Sequence, residues 1–281
     1  MVIVDVPSLL NWMFYGYSKA NESDKIAASD AVINYIDKII KYTSQFVVAV
    51  LDQSRETTFR RRMYPEYKAN REETPVELQE EKRKMIQKLT QRRIPYFESP
   101  EYEGDDFAGT LAKRYSVSEC VFLVTKDQDY TQLVGPNIYL WLIKDDTDKI
   151  KDLQNKYGIQ PMQKFFPKMY QFDEQLVKEE YGVYPKQIPD LKSIAGDNSD
   201  NIPGVKGIGK SILPLLQHYG CIEDMYLEMS CLPGNIIIDH WKNDLNIKRA
   251  KHQFELLKDQ KDNAFLSKKL ATIVCDVPIN A

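Results

Sequence analysis

Aspartates close the chain's short apolar runs. VIVD ends on Asp5, FVVAVLD on Asp52, and VFLVTKD on Asp127, with Asp129 two residues further on. YEGDD adds Glu103, Asp105 and Asp106, and GDNSD adds Asp197 and Asp200, three apart and so on one face of a helical turn. A single aspartate is most simply a cap or a turn residue. Strand after strand ending this way, with acids in tight pairs, needs another cause. If the runs are parallel strands, their carboxyl ends share the sheet edge where open α/β folds place ligands, and the side chains converge. Converging carboxylates resist ionisation unless cations lie between them, and hard oxygen donors suit Mg²⁺ or Mn²⁺. The chemistry such a set supports is hydrolysis of a phosphodiester by two metal ions about 4 Å apart. Serine-type hydrolysis has no support. The three histidines (His218, His240, His252) all fall in the C-terminal part, and no G-x-S-x-G occurs.

A second pattern competes. GVKGIGKS (204–211) satisfies G-x-x-x-x-G-K-[ST] through Gly204, Gly209, Lys210 and Ser211. A P-loop must leave a buried strand and open a helix, whereas the preceding GDNSDNIP is polar and ends in Pro203. The stretch reads instead as a glycine-rich turn between short helices, with backbone N–H groups able to hold a phosphate. No nucleotide cofactor is expected.

The elements that must position these residues follow from periodicity. Residues 2–5, 46–52, 121–127 and 137–143 are apolar, β-branched or aromatic runs of buried-strand type. Val32, Tyr35, Ile36, Ile39 and Ile40 fall on one helical face between the first two. That alternation predicts a mostly parallel α/β sheet covered by helices. T-P-V-E at Thr74 predicts a capping box opening a helix striped by Leu78, Met85, Ile86 and Leu89. After about residue 185 the strand signals fade into short helices.

The chain has 281 residues, 43% apolar and 28% charged, the composition of a globular protein. No apolar run reaches the length of a membrane span and the N-terminus lacks signal-peptide features, so a cytoplasmic place is expected. Cys120, Cys221, Cys231 and Cys275 are scattered and are expected reduced and packed. The formal charge of -3 argues against a nucleic-acid partner only as an average, because residues 55–93 hold twelve Lys and Arg against seven Glu. That basic region fits either a solvated helix face or a surface that holds a polyanion.

Four stretches together resemble a known family: FRRRMYPEYKANREETP (59–75), YEGDDF (102–107), TKDQDYTQLV (125–134) and AGDNSDNIPGVKGIGKS (195–211). Over nearly its whole length the chain is similar to the flap endonuclease and 5′ nuclease family. The resemblance implies a PIN-like α/β fold, with a nuclease core over 1–185, a basic arch at about 55–100, and a helix-three-turn-helix region with a helical tail over 186–281. It assigns Asp5, Asp52, Glu103 and Asp105 to a first metal cluster and Asp127, Asp129, Asp197 and Asp200 to a second, with Asp106 in support. It implies two Mg²⁺ or Mn²⁺ ions, and K⁺ on the carbonyls of the hairpin. Lys68 and Arg71 match arch positions that act on the scissile phosphate, and Tyr67 lies beside them as a DNA-binding residue. Gly204, Lys206, Gly207, Gly209, Lys210 and Ser211 would grip duplex phosphates. The run DVPSLLNWMF departs from the family's pattern after the first aspartate, and it leaves Trp12 as either the ring that stacks on a displaced base or a core residue.

The implied activity is structure-specific 5′ nuclease cleavage of DNA, as flap endonuclease and 5′-3′ exonuclease, in replication or DNA processing. The expected substrate is DNA with a 5′ flap or end, or an RNA-DNA hybrid. The expected protein is a monomer without a membrane partner. No polymerase sequence follows, which suggests a phage-encoded enzyme working in a bacterial host. Two other readings stand beside this one: a ribonuclease, of the PIN type or removing RNA primers, and a junction-binding module that does not cleave.

Overall fold

The structure, a computed structural model, describes residues 1–17, 26–54, 56–144, 148–158, 166, 168–209 and 212–279. The chain forms two compact units that do not follow its linear order: Met1–Arg62 with Glu72–Leu176 and Ile273–Ala281, and Met63–Arg71 with Val177–Thr272.

The first unit contains, in chain order, β1 (Val2–Asp5), α1 (Val6–Tyr17), α2 (Ala28–Thr43), β2 (Val47–Val50), α3 (Phe59–Met63), α4 (Val76–Gln91), β3 (Tyr96–Phe97), α5 (Gly104–Tyr115), β4 (Val121–Thr125), β5 (Ile138–Ile143), α6 (Asp148–Tyr157) and β6 (Met169–Phe172), and then enters α7 (Glu174–Tyr181). The sheet order is β3-β2-β1-β4-β5-β6, with β6 antiparallel to β5 and the other pairs parallel. β1 and β2 are buried throughout, which is why they read as unbroken apolar runs. The two-residue β3 and the edge strand MYQF were not among the expected strands, being too short or too polar to show a run. The chain reverses its order between β1 and β4, which makes their carboxyl ends the topological switch point.

The stretch expected as a basic arch is mostly built into this unit. Leu78, Met85 and Leu89 of α4 enter the core cluster that also holds Val32, Ile36 and Ile39 of α2. The cations of α4 then meet acids: Lys84 bonds Glu81 at 2.8 Å, Lys88 reaches Asp30 at 2.5 Å, and Arg92 pairs with Asp37. The Lys84 and Arg92 pairs lie at half-exposed side chains, so part of the polar face of α4 is solvated with its cations matched to acids. The capping box expected at Thr74 does not form, because Pro75 is extended (φ -52°, ψ 145°) and is itself the cap, so Glu77 falls one position early. A capping box forms instead at Glu103 and Asp106. Cys120 and Cys231 are exposed, contrary to the packing expected of all four thiols, and none of the four is in a disulfide.

Among the described residues the second unit is helical: α8 (Ile188–Ala195), α9 (Ile212–Tyr219), α10 (Ile222–Cys231), α11 (Gly234–Asn243), α12 (Ala250–Asp259) and α13 (Lys261–Ala271). α8 packs on α13, where Lys268 reaches Asp190 at 2.6 Å. No described helix of either unit is long and apolar enough to cross a membrane.

After α8 the chain doubles back on itself between two glycines. Gly196 (φ 74°) and Gly204 (φ 62°) both adopt left-handed backbone, and a Cβ on Gly204 would lie 2.4 Å from the Gly196 nitrogen. Gly204→Ala should therefore lower stability by about 1–3 kcal/mol or more, from strain and overpacking together. Gly16→Ala, with nothing within 4 Å of the new methyl, should leave it unchanged or slightly raised. Urea midpoints of the two variants check this, and equal midpoints would show that the crossing relaxes.

Candidate functional site

Register brings the first acids together. Asp5 is level with Val50 of β2, and Val4 with Val124 of β4, so Asp5, Asp52 and Asp127 all emerge at the carboxyl edge. Asp5 is 6% exposed; its Oδ2 accepts from the Thr125 hydroxyl at 2.5 Å and its Oδ1 from the Ser8 N–H at 3.2 Å. Thr125 Oγ1 in turn accepts the Asp127 N–H at 2.8 Å, so one hydroxyl ties the ends of β1 and β4. Asp52 Oδ1 accepts the Gly104 N–H at 2.8 Å, at the start of α5. Asp127 caps the following 3₁₀ turn by accepting the Asp129 N–H at 2.9 Å.

Burial, with the Asp52 charge adding to it, pushes the Asp5 carboxyl up to about 6 against the hydrogen bonds from Thr125 and Ser8. The buried Tyr130 phenol is raised well above its ordinary range by burial and by Asp5, Asp105, Asp127 and Asp52. These four carboxylates therefore share one neighbourhood.

Glu103, Asp105 and Asp106 surround a buried cation. Arg60, 1% exposed, donates to Glu103 Oε2 at 3.0 Å and to both oxygens of Asp106 at 2.8 and 2.7 Å. Burial would depress this guanidinium, but Asp105, Asp106 and Glu103 hold it charged. Asp106 also accepts the Glu103 N–H at 3.1 Å and the Val274 N–H at 2.8 Å. It is fully buried with both oxygens hydrogen-bonded, and it holds Arg60 and the α5 cap.

Donor chemistry in this unit suits a hard divalent ion: carboxylate oxygens, one of them destabilised as an anion by its neighbours. Among the described residues, no group of three or more His, Cys, Asp or Glu closes on a metal position by itself. Mg²⁺ does not require such a group, because it keeps several waters and takes one or two carboxylates.

In the second unit, Asp197 and Asp200 lie on the loop that doubles back, where Asp197 and Ile202 exchange backbone hydrogen bonds of 3.0 and 2.8 Å. Burial raises the Asp197 carboxyl, but Lys192 at 2.6 Å and the Ser199 hydroxyl at 2.6 Å outweigh it and hold it below its ordinary value. Asp200 is enclosed by residues 63–71. Its carboxylate accepts from Arg71 and, at 3.3 Å, from the Tyr67 hydroxyl, with the Lys68 ammonium 3.7 Å away. Its carbonyl accepts the Lys68 N–H at 2.9 Å, with Lys68 in left-handed backbone (φ 55°). Asn70 donates to the Asn198 carbonyl at 2.7 Å, and Asn201 to that of Glu66 at 2.7 Å. Tyr67, expected beside Lys68 and Arg71 as a DNA-binding residue, points inward here. It is 4% exposed, packed with Ile202, Leu270 and Ala271, and fixes Asp200 from inside.

The glycine turn is only partly open to a phosphate. The Gly204 N–H donates to Ser267 Oγ at 2.9 Å, and Gln260 holds both backbone groups of Lys206, at 2.9 and 3.2 Å. Gly207 and Gly209 are exposed and left-handed. The turn leaves the end of a helix, α8, and not a strand. Lys210 and Ser211 lie outside the described residues. Trp12 packs partly buried on the sheet core, edge-on to Tyr35, with the Lys126 ammonium 5.8 Å from its ring.

Residues 1–165 match the family model described as the 5'-3' exonuclease N-terminal resolvase-like domain, and residues 183–281 the one described as its C-terminal SAM fold. The chain belongs to the 5'-3' exonuclease family. Relatives include DNA polymerase I of Caldicellulosiruptor bescii, 34% identical over 100% of this chain and 29% of that protein. Another is the 5'-3' exonuclease of Buchnera aphidicola subsp. Baizongia pistaciae, 32% identical over 99% of this chain and 83% of that one. The chain thus spans less than a third of the polymerase it matches. The fold is that of a bacteriophage T5 flap endonuclease solved as a pseudo-enzyme-product complex with DNA and metal ions: TM-score 0.67, 22% identity, covering 97% of this chain and 89% of that one.

Arg60, Thr125 and Tyr130 were not singled out as site residues of this 5'-3' exonuclease family member. In FRRRM nothing separates Arg60 from Arg61 and Arg62, and only the fold buries the first of them. Asp5 yields a test. A carboxyl raised from 3.8 to about 6 on folding contributes stability below pH 4 that is lost as pH rises through 6. In excess chelator, Asp5→Asn should therefore be more stable than wild type at pH 7.5, by about 1–3 kcal/mol, and the gap should close towards pH 4. Unfolding curves at both pH values measure it, and a gap independent of pH would contradict the burial argument.

Proposed function

We propose that the chain is a divalent-metal-dependent, structure-specific 5′ nuclease that hydrolyses DNA phosphodiesters near junctions of single strand and duplex. The observation that carries the reading is the gathering of Asp5, Asp52, Asp105 and Asp127 about Tyr130, at the switch point of a mostly parallel sheet. Oxygen donors crowded this way favour a bound cation over their own protonation. A bound Mg²⁺ or Mn²⁺ would polarise a phosphoryl oxygen and supply hydroxide at neutral pH. Asp5, Asp52, Glu103, Asp105, Asp127 and Asp129 are the ligands proposed in the sheet unit, and Asp197 and Asp200 those in the helical unit. Water oxygen bonds to phosphorus as the bond to the 3′ oxygen breaks, leaving a 5′-phosphate and a 3′-hydroxyl.

Each remaining part has its own duty. Arg60 keeps Glu103 and the start of α5 in place, which aims the Gly104 N–H at Asp52. Lys68 and Arg71 are proposed to stabilise charge on the scissile phosphate, an anion that competes with Asp200 for the same two cations. Gly207 and Gly209, with the exposed Lys206, are proposed to hold a duplex phosphate, and Lys210 and Ser211 to extend that contact; K⁺ is the proposed ion of this turn. The T5 relative's complex with DNA and metal ions supports the same substrate class.

Cleavage of labelled 5′-flap, nicked, single-stranded and RNA-DNA substrates, with and without Mg²⁺, tests the whole reading. Flap cleavage should need the ion and should fall by at least a hundredfold in Asp127→Asn while DNA is still bound. Full cleavage in chelator would sink it. For Lys68→Ala, single-turnover rates should drop about a hundredfold with affinity little changed. An unchanged rate with weaker binding would leave Lys68 a steering charge only. Lys206→Ala should weaken duplex binding about equally for every sequence and reduce the magnitude of the salt slope by about one. Duplex affinity measured across a salt series reads that directly.

A further inference from the structure

The family's chemistry leaves one titratable cluster of the helical unit without a task. His218, on α9, and His240, on α11, face each other with their Nε2 atoms 3.3 Å apart. His240 Nδ1 lies 2.7 Å from Asp244 Oδ2, one turn further along the same helix. A carboxylate accepts and cannot donate, so this contact places a His240 proton on Nδ1, and in the neutral ring Nε2 is then an acceptor facing His218. His218 makes no other hydrogen bond among the described residues.

The geometry suits a shared ion. Two bonds of about 2.0–2.1 Å meeting at a tetrahedral angle hold their nitrogens about 3.3–3.4 Å apart, the separation found here. A linear head-on hydrogen bond would separate the ring centres by the nitrogen distance plus a full ring width. At 4.8 Å the centres are closer than that, with the planes inclined by 56°, so the nitrogens meet at an angle and not head-on. The Asp244 contact reproduces the carboxylate–histidine pairing that fixes the tautomer and raises the basicity of metal-bound imidazole. Both rings reach solvent, so water can complete the coordination.

The rings are also held from behind. The neighbouring Trp241 is fully buried and donates to the Tyr219 hydroxyl at 2.8 Å, and that hydroxyl donates to Glu228 at 2.9 Å. The first of these bonds joins α11 to α9 and the second joins α9 to α10, so the imidazole pair sits across a fixed helix contact.

We propose that His218 and His240 form a binding site for an imidazole-preferring transition-metal ion such as Zn²⁺, with Asp244 as the supporting carboxylate, bracing α9 against α11. The choice of ion follows from the donors, since Mg²⁺ prefers oxygen whereas imidazole suits Zn²⁺, Cu²⁺ and Ni²⁺.

Competition of the full chain with a chromophoric chelator for Zn²⁺, in excess Mg²⁺ to occupy oxygen sites, tests this. Wild type should bind one Zn²⁺ that is lost, by at least tenfold in affinity, in His218→Ala and equally in His240→Ala. Asp244→Asn should weaken it about tenfold or more. Zn²⁺ should raise the melting temperature of wild type and not of the His218→Ala variant, and Mg²⁺-dependent cleavage should be unchanged by either histidine substitution. Zn²⁺ affinity and thermal shift that survive in the His218→Ala/His240→Ala double variant would overturn the proposal, as would a wild type that binds no Zn²⁺ under these conditions.

Discussion

Like charge at the carboxyl edge of the sheet is the constraint the first unit must satisfy. Register between β1, β2 and β4 is set by buried apolar residues, and it carries Asp5, Asp52 and Asp127 to the same edge whatever those carboxylates cost. The surroundings answer locally. Thr125 and Ser8 donate to Asp5, the start of α5 donates to Asp52, and Arg60 is buried among Glu103, Asp105 and Asp106. Asp5 nevertheless ends with a raised pKa, so hydrogen bonds do not discharge the edge completely. A buried guanidinium between two carboxylates is weak as a source of stability, but removing one partner strands the others, by about 3–5 kcal/mol.

Positive charge follows a complementary logic. The excess of Lys and Arg between residues 55 and 93 looks like a surface made for a polyanion, yet the fold buries Arg60 and pairs several of the others with acids at exposed positions. Arg60 is sealed in, Arg62 pairs with Glu101, and α4 pairs Lys84, Lys88 and Arg92 with acids. Exposed pairs of this kind contribute little stability each, about 0–1 kcal/mol. What they change is the field: each matched cation attracts an anion less than its sequence suggests.

Much of this was legible beforehand, and for identifiable reasons. Unbroken apolar runs marked β1, β2, β4 and β5 because both faces of those strands are covered. The acids were legible because they sit where such runs stop. Residues whose role depends on partners far along the chain were not. Tyr67 was expected as a DNA-binding residue beside Lys68, and its burial depends on Ile202 and Leu270. The Thr74 cap failed by one residue, a shift that φ and ψ at Pro75 decide and local spacing does not. His218 and His240 are 22 positions apart on different helices, and no spacing rule links them.

The excursion at residues 63–71 governs the order in which the molecule can be assembled. Those residues belong to the helical unit, and Tyr67 finds Asp200 across 133 positions of chain. The C-terminal segment returns to the sheet unit, with Val274 reaching Asp106 across 168. A ribosome therefore delivers the first strands and α4 long before the loop that encloses Tyr67 exists, and it completes the sheet unit only after Val274 and Val277 have emerged. Closures of this length are slow to find, and neither unit corresponds to a continuous stretch of message. Gene fragments cut near residue 176 would yield a helical piece lacking the partners of Ile202 and Leu270, and a sheet piece lacking the strand of backbone that donates to Asp106 and Thr110.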